Sequence, residues 1–323
     1  MKISLVKDAL PHSKPFPALS MDGRSWRRAG DLAPEGVSLD HTVDILAFER
    51  AHPGTLAGRL SEGENPPEAL DMSRLERLIP FEPLSYRDFM LYEKHFTDAA
   101  RGFVKKYLPG LAPFTGLYEK ISGRTFPKFK PGKRWEKFPI YYMGNHLSFF
   151  THKDPIRIPS YSKELDYELE LGAIICAPLE NASPEEAEKA IGGFVVLNDF
   201  SARDVQLDEM RSGFGPVKAK NFANAVSNVV TGAKDILPMI PRLKVRVSIN
   251  GEKIVETDMS GMRHSLPEAI AYASLEERLR PGEFFGSGTV PGCSGIENGR
   301  LLKRGDSIRL EIEGVGALEN RAV

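Results

Sequence analysis

The run Asp166-Tyr167-Glu168-Leu169-Glu170-Leu171-Gly172-Ala173-Ile174-Ile175 decides how this chain is read. Residues two apart on an extended strand share a face. Asp166, Glu168 and Glu170 are therefore expected to project together, while Tyr167, Leu169 and Leu171 face the other way. Carboxylates aligned in this manner repel. A hard divalent cation is the natural counter-charge, because Mg2+, Mn2+ and Ca2+ prefer carboxylate oxygens. A solvated acidic strand face is the plainer alternative for a run of this kind.

Outward from this run the signals are mainly β. Gly193–Asn198 reads as a buried strand, and Val245, Val247 and Ile249 alternate into Asn250-Gly251, a hairpin signal. Ile308, Leu310 and Ile312 alternate near the C-terminus. Ser201–Met210 reads as a short helix, and Ser265 with Glu268 forms a capping box for a helix to about Leu279. Upstream, Asp22-Gly23 suggests a tight turn and Thr42–Phe48 a short helix. Pro80 and Pro83 mark a boundary, so residues 1–80 are expected to form a small, mostly-β N-terminal module and 81–323 the main domain. The spacing of Phe89, Tyr92, Phe96, Ala99, Phe103 and Tyr107 predicts a helix, with Ser85 as N-cap and Asp88 three residues on. Residues 108–140, rich in Pro, Gly, Lys and aromatics, read as a long irregular segment, either a lid or a solvated surface. No βαβ alternation suggests a dinucleotide fold. The class is α+β, β-dominated.

Composition narrows the function. The chain has 323 residues, 43 Lys+Arg against 44 Asp+Glu, and a net charge of −1. That balance gives no footprint for nucleic acid. No apolar run approaches the ~20 residues needed to cross a bilayer, and no signal-peptide pattern is seen. A cytoplasmic location is the expectation. Two cysteines, Cys176 and Cys293, make neither a disulfide framework nor a Cys-rich zinc site.

The remaining candidates cluster around the acidic run. Asp199 ends the buried strand in Asn198-Asp199-Phe200-Ser201-Ala202-Arg203, from where it can reach a cleft or serve as a helix N-terminal charge. Arg203 and Gln206 share a helix face, able to hold an anionic ligand or to lie on the surface. Asp88 and His95, seven apart, are expected on one helix face. His95 lacks the spacing of a zinc ligand and fits an acid or base better. Lys220 follows a glycine-containing turn and points either into the same cleft or to solvent.

These pieces resemble the fumarylacetoacetate hydrolase family over most of residues 80–323. The resemblance rests on R-D-F-M-L-Y-E-K-H (87–95), D-Y-E-L-E-L (166–171), N-D-F-S-A-R-D-V-Q (198–206), A-K-N-F (219–222), G-S-G-T-V (286–290) and G-I-E-N-G-R (295–300). It implies a rolled, mixed β-sheet domain, commonly dimeric, with a small N-terminal β module. It matches Glu168, Glu170 and Asp199 to metal-binding carboxylates, and Asp88 to a fourth acidic ligand. It matches His95 to a water-activating histidine and Glu297 to the acid that orients it. Arg203, Gln206, Lys220, Thr289 and Tyr142 match positions that contact substrate or stabilise an oxyanion. The pattern departs at Phe200, Met90 and Tyr142-Met143-Gly144-Asn145, where the eukaryotic enzyme carries tryptophan, tyrosine and Tyr-His-Gly-Arg.

The implied chemistry is Mg2+- (or Mn2+/Ca2+-) dependent hydrolysis of a C–C bond in a β-diketo acid of the acylpyruvate or fumarylacetoacetate type. Carbon leaves only as an enolate whose charge is neutralised. The alternative is decarboxylation, isomerisation or hydration of a related 2-keto acid, such as oxaloacetate decarboxylase or 2-hydroxyhepta-2,4-diene-1,7-dioate isomerase activity. Metal-assisted phosphodiester cleavage lacks the basic footprint, and a non-catalytic metal- or carbohydrate-binding module leaves His95, Lys220 and Arg203 without a role. The expected partner is a small keto acid, in a homodimer without nucleic acid or membrane.

Overall fold

Every residue of Leu169–Ile175 is buried, and so is every residue of Ile191–Asn198. These two strands pair antiparallel, Leu169 opposite Asn198 and Ala173 opposite Phe194, and form the centre of the molecule. Strands covered on both faces carry apolar residues at consecutive positions, which is what Gly172–Ile175 and Ile191–Leu197 supply. The computed structural model describes residues 1–10, 12–61 and 67–323.

Among the described residues the main sheet has 12 strands. Its path runs Arg27–Arg28, Phe16–Ser20, Lys2–Asp8, Val230–Gly232, Ile191–Asn198, Leu169–Ile175, Phe284–Gly286, Tyr86–Phe89 and Tyr141–Gly144. The sheet is mixed: Phe284–Gly286 runs parallel to Tyr86–Phe89, while the central pair is antiparallel. A second, five-stranded sheet carries the Lys244–Ile249 and Glu252–Asp258 hairpin with Ser307–Ile312, Gly316–Ala322 and Pro155–Ile156. The path is open rather than a closed barrel, and helices are peripheral, as an α+β, β-dominated chain requires.

Leu171, Ala173, Ile175 and Val196 look into a core shared with Val247, Leu310 and Leu318 of the second sheet. Ile174, Val195 and Leu197 look the other way, onto Ile3, Leu19, Ile45 and Leu46. The N-terminal strand Lys2–Asp8 joins the same sheet, Ile3 opposite Val230. Each large apolar side chain buried this way contributes about 1.5–3 kcal/mol, which offsets the cost of the charged groups buried beside it.

Local signals set several elements. Asn250 and Gly251 have φ of 52° and 81°, the left-handed pair that a two-residue hairpin needs. Ser265 and Glu268 form the expected capping box, but the helix spans only Leu266–Ala273. Its end is fixed by Ser274, whose Oγ accepts from Ala182 N (2.9 Å).

Two expectations are corrected. Ser85 caps no helix. Its hydroxyl donates to Glu283 Oε2 (2.6 Å), Tyr86–Phe89 is a strand, and the helix begins later, as Glu93–Tyr107. Asp88 and His95 therefore do not share a helix face. Pairing with Phe284–Gly286 overrides the local capping pattern. Residues 108–140 are also more regular than expected, with helices at Ala112–Ser122 and Lys133–Lys137. The first is pinned by Arg101, whose Nε and Nη2 donate to Glu119 (3.0 and 2.9 Å), and ends at Gly123 with φ of 64°.

Candidate metal centre

Asp88 enters the centre from the Tyr86–Phe89 strand, where it sits opposite Gly286 on one side and Tyr142 on the other. A Cβ on Gly286 would lie 2.8 Å from Glu170 Oε2 and closer still to Asp88 Oδ1. The glycine is what lets these two carboxylates approach. Glu170 Oε2 accepts from Gly288 N (2.9 Å), and Thr289 Oγ1 lies 3.5 Å from Oε1. Asp199 follows the end of the central strand, its N–H donating to Glu168 O (3.1 Å). Its Oδ2 accepts from Tyr142 Oη (3.0 Å) and from Lys220 Nζ.

Asp88, Glu170 and Asp199 are buried and place one oxygen each within 4.8 Å of the others. Burial, then the charge of Asp199, holds the Asp88 carboxyl well above its ordinary range, and burial, then the charges of Asp88 and Asp199, does the same for Glu170. Burial raises Asp199 as well, against the pull of Lys220. Asp88 Oδ1 and Asp199 Oδ1 are buried without a hydrogen-bond partner among the described residues. Buried acceptors left unpaired are costly. An all-oxygen, anionic donor set with orphaned oxygens fits a hard divalent cation.

The three acidic residues of the run do not converge. The strand is interrupted at Tyr167-Glu168, and Leu165–Asp166 pairs with Ser201–Ala202 instead. Asp166 turns to Arg203 Nε (2.7 Å) and accepts from Gly295 N (2.7 Å) and Ile296 N (2.9 Å). Only Glu170 reaches the triad, and Glu168 lies between. It accepts from Arg203 Nη2 (2.6 Å) and Lys220 Nζ. Burial opposes the Glu168 charge, but Arg203 and Lys220 outweigh it and hold this carboxyl well below its usual range.

Arg203 is fully enclosed, with Nη1 donating to Gln206 Oε1 (2.7 Å). Its guanidinium is committed to Asp166, Glu168 and Gln206, which corrects the expectation of an arginine presented to an anionic ligand. Lys220 is buried between Glu168 and Asp199. Burial opposes its charge, yet those two carboxylates keep it above the ordinary lysine value.

His95 lies on the first turn of the Glu93–Tyr107 helix. Its Nε2 is 3.5 Å from Glu168 Oε1, and its Nδ1 is 3.0 Å from Glu297 Oε2. The latter is a charge contact rather than an aligned hydrogen bond. Burial disfavours the imidazolium, but Glu297 and Glu168 outweigh it and lift His95 to about 9. Glu297 is held by Gly292 N (2.9 Å) and Ser294 Oγ (2.7 Å). Helix and turn meet closely because Gly102 lacks a Cβ, which would lie 2.9 Å from the Ile296 carbonyl carbon.

The fold thus gathers Asp88, Glu170 and Asp199 at one point, with Glu168, Lys220, His95, Glu297, Tyr142 and Thr289 around them. Gly286, Gly102 and the support role of Asp166 are not read from the sequence. Gly286 opens the quoted G-S-G-T-V, which was the available signal.

A family model described as Fumarylacetoacetate (FAA) hydrolase C-terminal matches residues 122–323. The chain belongs to the fumarylacetoacetate hydrolase family. A mitochondrial oxaloacetate tautomerase of Rattus norvegicus is 30% identical over 288 residues, covering 87% of this chain and 83% of the relative. Among solved structures, a fumarylacetoacetate hydrolase from Exiguobacterium antarcticum shares the fold at a TM-score of 0.69 and 18% identity, covering 100% of this chain and 99% of that one. A fumarylpyruvate hydrolase from Pseudomonas aeruginosa, solved with Mn2+ and pyruvate, covers 77% of this chain and 91% of its own at a TM-score of 0.55 and 21% identity. The family includes hydrolases, isomerases and oxaloacetate tautomerases. Asp88 and His95 of this family member stand before the stretch that the model matches. Among the described residues no helix is long and apolar enough to cross a membrane.

Proposed function

We propose that this chain is a divalent-cation-dependent hydrolase that breaks a C–C bond of a β-diketo acid of the acylpyruvate or fumarylacetoacetate type. The observation that carries the reading is His95, backed by Glu297 and facing Glu168 at the edge of the carboxylate triad. Asp88, Glu170 and Asp199, with Glu168 beside them, would hold the cation, with Mg2+ the first candidate. Bound there, a divalent ion supplies Lewis-acid polarisation of the substrate's keto oxygens.

The chain's own residues do the rest. His95 Nε2, neutral, takes a proton from water, whose oxygen adds to the distal carbonyl carbon. Glu297 steadies the imidazolium that results. Lys220 Nζ, held charged, donates to the oxyanion of the tetrahedral intermediate, a role commonly worth roughly 3–4 kcal/mol. The C–C bond then breaks, its electron pair passing to the enolate, and His95 returns the proton to that carbon. Water's H and OH are thereby divided between two acids. Arg203 acts at one remove, fixing Glu168.

A second reading is enol–keto exchange of a 2-keto acid. It is favoured by the rat tautomerase relative and by the proton that His95 carries at neutral pH in the cation-free protein, which suits a general acid. Product analysis separates the two. Acylpyruvates, fumarylpyruvate, fumarylacetoacetate and oxaloacetate are incubated with Mg2+ or Mn2+, with EDTA controls. Two acids from a diketo acid, lost with EDTA, support the hydrolase. Faster tautomer exchange of oxaloacetate with no carbon lost, and intact diketo acids, would replace it with the tautomerase.

A further inference from the structure

Two fully buried polar side chains on the triad's face of the sheet have no hydrogen-bond partner among the described residues. Tyr86 is two residues before Asp88 on the same strand, so both point to one face. Its ring stacks on Phe284 (5.6 Å) and meets Phe149 edge-on (5.3 Å). Gly144, opposite it, leaves room for that ring. Its hydroxyl is buried without a hydrogen-bond partner among the described residues. Burial and then the charge of Asp88 raise the phenol well above its ordinary value. A phenylalanine would give the same packing without an orphaned hydroxyl.

Asn224 is 0% exposed, and neither Nδ2 nor Oδ1 has a partner among the described residues. Leu197 lies opposite Val226 and Asn198 opposite Ala225. Asn224 is two residues before Val226 on the same strand, so alternation places it on the face of Leu197, whose other neighbour is Glu170. Orphaned donors, Tyr86 Oη and Asn224 Nδ2, thus share a face with orphaned acceptors, Asp88 Oδ1 and Asp199 Oδ1. Buried polar groups persist unpaired only against a cost in stability. Here four of them lie on the side of the sheet that carries the carboxylate triad.

We infer that Tyr86 and Asn224 are positioning residues of the cation site, an outer polar floor that sets how tightly Asp88 and Asp199 hold the ion. This rests on the metal reading above. Outer groups around metal ligands commonly change affinity by about 10–100-fold.

The test is Mn2+ titration by calorimetry of the full-length protein, beside Tyr86→Phe and Asn224→Leu, with melting temperatures in EDTA. The expected result is Mn2+ affinity lower by about tenfold or more in each variant, with cation-free melting unchanged or higher because an orphaned polar group has gone. Equal Mn2+ affinity in wild type and both variants would overturn the assignment alone. Failure of wild type to bind Mn2+ would remove the metal reading and this inference with it. If both variants melt lower in EDTA and bind Mn2+ as wild type does, the two side chains are structural and the inference is wrong.

Discussion

Nδ1 of His95 lies 3.0 Å from Oε2 of Glu297, and that contact sets the charge of the ring that the proposed chemistry uses. Glu297→Gln should bring His95 down from about 9 toward its ordinary 6.5. Hydrolysis should slow by about 10²-fold while Mn2+ affinity holds. An NMR titration of the His95 ring, with kcat alongside, checks both; an unmoved ring would dissociate Glu297 from the site.

Adding Mg2+ should also lower the His95 value, because a positive charge nearby disfavours the imidazolium. The same NMR titration with and without Mg2+ reads this directly. A His95 pKa that Mg2+ leaves in place would mean the ion binds elsewhere.

In the cation-free protein, stability should fall as pH rises. Asp88 and Glu170 are raised in the folded state, so their contribution is present below about pH 4 and is lost as pH climbs toward their folded values. His95 adds the same sign, fully stabilising below 6.5 and losing that contribution up to about 9. Mg2+ should reverse the trend at neutral pH, by about 2.7 kcal/mol at 100 times its Kd. Urea midpoints at pH 5 and 8, with and without Mg2+, decide it.

Arg203→Met should destabilise by roughly 3–5 kcal/mol, since it leaves Asp166 and Glu168 buried without their guanidinium. Chemical denaturation measures this; a loss under 1 kcal/mol would show that the two acids find other partners.

Gly286→Ala should fold, losing about 1–3 kcal/mol from crowding, yet lose Mn2+ binding because the new methyl enters the space of Asp88 and Glu170. Calorimetry with melting temperature distinguishes this from unfolding. Wild-type affinity in a folded variant would show that the carboxylates need no such closeness.

What the sequence disclosed was what local pattern encodes. The central strands, the Asn250-Gly251 hairpin and the Ser265 capping box depend on neighbours within a few residues. Asp88, Glu170, Asp199, His95 and Lys220 were recognisable by type and motif. The Ser85-to-Asp88 stretch mimics a helix start, and only pairing with Phe284–Gly286, far along the chain, makes it a strand. Asp166 left the expected acidic row because the backbone N–H groups of Gly295 and Ile296 and the side chain of Arg203 claim it. The helix at Ala112–Ser122 escaped notice because Pro and Gly flank it and its Phe114, Leu117 and Ile121 are exposed, giving no buried stripe. Tyr86 and Asn224 carry no chemical signature until their neighbours are known.

The Phe284–Gly286 strand lies between the strands that bear Glu170 and Asp88. During synthesis on a ribosome, Asp88 emerges early but has no place beside Glu170 until residue 286 has left the exit tunnel, and His95 must wait longer for Glu297. The ion therefore cannot act as a template for the nascent chain. It can only reward a molecule in which everything from Asp88 to Glu297 has already been made.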